Sequence, residues 1–153
     1  MLSFSVPLSE VKDFMASLFK KDVFDFFEVR GVEIITFTKF EISAIISSDE
    51  EDERTRNFCI WEELRPYAFD IIKGNKKPKA IKIIFSMPQE KAEVLHQNAG
   101  ALYLNLIYNG NEINLSTATS QKTFALNKEL DLVWEEYIKN FFKENKIAVV
   151  YDN

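Results

Sequence analysis

Leu102-Tyr103-Leu104-Asn105-Leu106-Ile107-Tyr108-Asn109-Gly110-Asn111-Glu112-Ile113-Asn114-Leu115-Ser116-Thr117 is the stretch on which the fold turns. Apolar and polar residues alternate on both sides of Asn109-Gly110, the pattern of two half-buried strands joined by a tight turn. Asn-Gly suits a type I′ turn, in which both central residues need positive φ. With those two residues central, Leu106 faces Ile113 and Leu104 faces Leu115.

Reading outward, Ile81, Ile83, Phe85 and Met87 share one face of a further strand, which Gly74 and Lys76-Lys77-Pro78 separate from a preceding helix. Trp61, Leu64, Ala68, Ile71 and Ile72 have helical spacing, and Pro66 predicts that this helix begins or kinks there. Pro88 suits the first turn of a short helix running to about Gln97. Downstream, Lys122 to Leu126 reads as a short strand, and Asn127 caps a long helix aligning Leu130, Val133, Trp134, Tyr137, Ile138 and Phe141. Ile147 to Tyr151 reads as a closing strand.

At the other end, Leu2, Phe4 and Val6 alternate with polar neighbours up to Pro7. Val11, Phe14, Met15, Leu18 and Phe19 then define an amphipathic helix over 9–20 with Ser9 as its N-cap. Phe26 to Ile46 predicts two strands, with a turn or bulge near Gly31 and near Lys39. Asp49 to Arg56 has nothing apolar to bury and reads as a solvated loop. Strand runs interrupted by about four helices, without regular alternation, define an α+β class: one domain over 1–153 around a largely antiparallel sheet.

Composition narrows the chemistry. The chain has one histidine, His96, and one cysteine, Cys59. A Cys or Ser nucleophile with a His base can be built only around His96, and clustered zinc sites need several such ligands together. The reading is therefore no metal, no cofactor and no catalytic set. The four glycines, Gly31, Gly74, Gly100 and Gly110, are too scattered for a phosphate loop. Asp49 to Glu53 lacks the turn glycine and distal Glu of a calcium loop. Charges interrupt every hydrophobic run, which argues against a membrane span, and the start lacks the pattern of a signal peptide. A lone cysteine without a disulfide partner makes the cytoplasm the expected compartment. The net charge of −5 disfavours general affinity for nucleic acid. Fourteen phenylalanines predict an aromatic core.

Two surfaces are candidates for binding. In the hydroxyl-rich run, Thr117, Thr119, Ser120, Lys122 and Thr123 could donate to an anion; equally, they are what a Thr-rich strand contains. Lys73, Lys76, Lys77 and Lys79, with Arg65 at the far end of the preceding helix, form the one concentrated basic patch. They could dock a polyanion, or simply solvate a turn. Cys59 between Phe58 and Ile60 reads as a small hydrophobe, and the adjacent pairs Glu62-Glu63 and Glu135-Glu136 diverge too far to act as acid/base pairs.

Val11-Lys12-Asp13-Phe14-Met15, Trp61 with Arg65-Pro66, Ile72-Lys73-Gly74, and Thr119 to Phe124 ahead of Trp134 together resemble an uncharacterised family of small bacterial proteins of Firmicutes type. The resemblance brings no catalytic residue with it. In element order alone the chain is also similar to one domain of a DNA sliding clamp, although its first helix lacks the basic face of a clamp channel. Three functional readings stand: a non-catalytic cytoplasmic binding or interaction module with a protein partner or a second copy of itself; a nucleic-acid accessory domain of clamp-like shape; and a small hydrolase or transferase using Ser120 and Lys122.

Overall fold

A computed structural model describes residues 1–47, 56–74 and 77–152. The strands are β1 (Ser3–Ser5), β2 (Glu28–Ile35), β3 (Lys39–Ile42), β4 (Ala80–Ser86), β5 (Ala99–Tyr108), β6 (Ile113–Gln121) and β7 (Val150–Tyr151). They form one antiparallel sheet in the order β3-β2-β4-β5-β6-β1-β7. Among the described residues four helices accompany it: α1 (Val11–Phe19), α2 (Trp61–Ile72), α3 (Gln89–Leu95) and α4 (Glu129–Glu144). The α+β class and the antiparallel sheet are as the sequence predicts.

Alternation along the strands sends Val32, Ile34, Ile81, Ile83, Phe85, Leu104, Leu106 and Leu115 into a single hydrophobic core. Helix α4 lies over β6, α2 over β2, and α1 against α2. The opposite sheet face carries the exposed Lys82 and Ser120, the one-sided burial common in antiparallel sheets. The core is aromatic at its centre. Phe24 meets Phe14, Phe27, Phe85, Phe141 and Phe142, with ring centroids 5.5–6.2 Å apart. Both buried indoles find acceptors: Trp61 Nε1–H donates to the Leu18 carbonyl and Trp134 Nε1–H to that of Tyr103, each at 2.8 Å.

Several local expectations are corrected. In the β5–β6 hairpin, Tyr108 faces Ile113 and Leu106 faces Leu115, two residues off the expected register. Asn109 opens the turn instead of sitting at its centre, and its Oδ1 accepts the amides of Asn111 and Glu112. Gly110 has φ +100 while Asn111 stays negative, so the type I′ requirement is not met. A two-residue shift keeps every leucine on the core face, which is why alternation alone could not exclude it.

Helix α2 runs unbroken through Pro66 from Trp61. The proline falls early, so it removes only the amide that would reach the Glu62 carbonyl, and buried Trp61 anchors the first turn. At that end the Glu63 carboxylate accepts the Ile60 amide at 2.9 Å. Ser9 belongs to a 3-10 turn, Leu8–Glu10, and makes no cap bond. Pro88 is the N-cap of α3, one position outside its first turn.

No strand forms at Lys122 to Leu126. Side-chain amides replace a neighbouring strand there: Asn98 brackets the Thr123 backbone and Gln121 that of Ala125. The closing strand is confined to Val150–Tyr151 beside β1. A bulge does occur at Gly31, between Val29 and Gly31 against β4, and the turn near Lys39 covers Thr36 to Thr38. Of the acidic segment, Asp49 to Thr55 lies outside the described residues.

Phe24→Ala removes the ring that joins β4, α1 and α4. It should cost about 3–5 kcal/mol, read by urea unfolding as a lower midpoint with an unchanged slope.

Candidate functional site

The hydroxyl-rich run is split between two faces of β6. Thr117 is buried, where its Oγ1 accepts the Leu2 amide at 2.9 Å while its own amide donates to the Leu2 carbonyl. The Thr119 hydroxyl donates to Asp131 of α4. Ser120 is exposed on the opposite face. Lys122 pairs with Glu93 at 2.8 Å, and Thr123 is held by Asn98. These five side chains do not converge on a common point.

Two members of the basic patch are already paired. Arg65 forms a two-pronged pair with Asp25, both bonds 2.8 Å, and Lys73 pairs with Asp70 at 2.9 Å. Lys77 and Lys79 are exposed, and Lys76 lies outside the described residues.

A sizeable cavity lies elsewhere. It is an open cleft of about 900 Å³ between the loop leading into β2, the 56–62 segment and the start of α3. Its construction begins with two turns. The Asp25 amide donates to the Asp22 carbonyl and the Phe27 amide to that of Phe24, and with this spacing Phe24 and Phe27 enter the core. Asp22, Asp25 and Glu28 are left on the cleft side.

Beyond β3 the chain reverses at Ala44, whose φ is +65. Ile45 pairs with Phe58 and Glu28 with Ile60, so the 57–60 segment is threaded beside the start of β2. That brings Phe58 over Arg30, the extra residue of the β2 bulge.

Arg30 is held from three sides. Its guanidinium carbon lies 4.2 Å from the Phe58 ring centre and 5.5 Å from that of Tyr103, and its Nε–H donates to Ser86 Oγ at 3.1 Å. Its terminal nitrogens have no acceptor among the described residues. Glu28, two residues earlier, is only 9% exposed. Among the described residues nothing hydrogen-bonds or ion-pairs its carboxylate. Burial pushes the Glu28 carboxyl above the usual carboxylate range; the positive fields of Arg30 and Arg56 oppose this, and Glu90 adds to it.

The other charges at the rim are partly neutralised. Asp25 is tied to Arg65, and Arg56 to Glu63 at 2.7 and 2.9 Å, which lowers the Glu63 carboxyl. Lys91 lies 5.0 Å from the Phe26 ring centre. Nearby Cys59 is partly buried, and desolvation raises its thiol. His96, at the far end of α3, accepts the Asn98 amide on Nδ1 and faces Glu129 through Nε2 at 3.4 Å. Among the described residues, no three or more His, Cys, Asp or Glu side chains are grouped to hold a metal ion, and no helix is long and apolar enough to cross a membrane.

Sequence reading missed Glu28 and Arg30. The available signal was Glu28-Val29-Arg30-Gly31, in which two charges enter a strand beside a glycine that permits a bulge.

Sheet, helical layer and cleft together define an α+β domain with a charged, half-open recess beside a β-bulge. The chain belongs to a family of unknown function, DUF5721, whose model matches residues 17–150. This agrees with the resemblance to an uncharacterised family. No curated protein and no solved structure matches it.

Because the folded-state value of Glu28 lies above the unfolded one, its ionisation disfavours the fold. The penalty is present at neutral pH and disappears as pH falls through the folded value towards the ordinary 4.5. Glu28→Gln should therefore raise the melting temperature at pH 7, and the gain should vanish near pH 4, as thermal scans across that range will read.

Proposed function

We propose that the protein is a non-catalytic binding module and that the cleft beside Glu28 receives a positively charged group of its ligand. One observation carries this reading: Glu28, a residue only 9% exposed, lines the cleft, and among the described residues its carboxylate has no hydrogen-bond or ion-pair partner. Burying an ionised group without a counter-charge is costly, and such costs concentrate where a ligand supplies the missing partner. The surrounding charges favour the same sign. With Asp25 and Arg56 already paired, Asp22, Glu28, Glu62 and Glu90 outnumber Arg30 and Lys91.

Support for a non-catalytic role comes from the nucleophiles. Burial disfavours the reactive thiolate of Cys59, and the Lys122 ammonium is engaged by Glu93 instead of activating Ser120. The free thiol suits the cytoplasm, where we place the protein.

Spermine is a minimal polycation for the test. In low salt at pH 7, spermine at 100 times its dissociation constant stabilises by about 2.7 kcal/mol, a rise of several degrees in melting temperature. The shift should disappear in Glu28→Gln, itself confirmed folded by circular dichroism. Equal shifts for both proteins would show that spermine binds only the general negative surface and would contradict the assignment.

A further inference from the structure

The structure assigns to the cleft a more definite ligand: a lysine- or arginine-rich peptide segment of a partner protein that also presents one carboxylate, its cation on Glu28 and its carboxylate on Arg30. This rests on the reading of the cleft as a cation site and extends it through Arg30. The guanidinium is fixed before any ligand arrives, by two aromatic rings and by the Ser86 hydroxyl. Ser86 is itself fully buried, so the bond to Nε has a rigid base. An arginine so held has lost its side-chain freedom in advance, while its two terminal amino groups remain without acceptors among the described residues. A fork in that state matches the two oxygens of a carboxylate.

Charge selects among ligands that could use the fork. A phosphodiester chain would bring successive anions past Asp22, Glu28, Glu62 and Glu90, whereas a polyamine would leave Arg30 unused. A peptide with several cations and a single carboxylate satisfies both groups. At about 900 Å³ the cleft is at the upper end of small-ligand pockets, and its half-open form admits a chain that enters and leaves. Phe26, Phe58, Ile60 and Pro88 supply apolar wall for the aliphatic stems of lysine or arginine.

The experiment uses fluorescence anisotropy with two dye-labelled, end-blocked peptides, Lys-Lys-Glu-Lys-Lys and Lys-Lys-Gln-Lys-Lys, on the wild type, Glu28→Gln and Arg30→Lys. Spermine and inorganic phosphate serve as competitors, and circular dichroism checks that each variant is folded. The Glu-containing peptide should bind the wild type at least tenfold more tightly than the Gln-containing one. Arg30→Lys should abolish most of that difference, since an ammonium cannot reproduce the fork, while Glu28→Gln should weaken both peptides. Equal binding of the two peptides, with loss of both in Glu28→Gln, would overturn the carboxylate assignment and leave the cation site standing. Displacement by phosphate in preference to spermine would overturn it in favour of an anion site. Absence of any binding that depends on Glu28 would overturn the cation-site reading as well.

Discussion

The packing of Phe24 and Phe27 against Phe85 is the contact on which the rest of the molecule depends. Both rings lie 5.5 Å from that of Phe85, in the middle strand group of the sheet, and both also touch Phe141 of α4. The intervening loop has little freedom once they are buried. Two short turns carry the chain from Phe24 to β2, and the residues between the inward rings must emerge on the outer side. Asp25 and Glu28 are therefore placed by hydrophobic packing. The same constraint seats α2, because the Trp61 amide donates to the Phe27 carbonyl and its ring meets Phe85 edge-on at 5.6 Å.

Core and site are thus built from the same short segment. Asp25 uses its position to grip Arg65 and hold α2 to the loop. Glu28 has no such use within the free protein. Burial desolvates it, and the positive fields of Arg30 and Arg56 offset that only in part. Arg56 spends its donors on Glu63 and the Phe58 carbonyl, and Arg30 is clamped between rings. The result is a rigid recess that is stable because of the aromatic core beneath it, and strained electrostatically at one carboxylate.

How far the sequence revealed this depends on the range of the forces involved. Periodicity reports a buried face directly, so the helix containing Trp134, the strand Ile81 to Phe85 and the antiparallel class were legible. Register was not. The β5–β6 hairpin slipped by two residues because the Asn109 side chain capped the turn, a choice that alternation does not record. The run from Thr117 to Thr123 drew notice for its hydroxyls, yet its partners, Leu2, Asp131 and Asn98, are distant in sequence. Glu28 and Arg30 went unnoticed for a related reason. Their significance lies in Ser86, Phe58 and Tyr103, which only the bulge and the reversal at Ala44 bring beside them.

The central claim is that Glu28 is a buried, unpartnered carboxylate waiting for a cation, and its own titration tests this most directly. Carbon-detected NMR of the side-chain carboxyl, followed across pH with and without the Lys-Lys-Glu-Lys-Lys peptide, reads the group itself. The account predicts a midpoint above the ordinary carboxylate range in the free protein, moving down when the peptide binds, since a nearby cation favours the ionised form. A midpoint within the ordinary range, unmoved by the peptide, would contradict it.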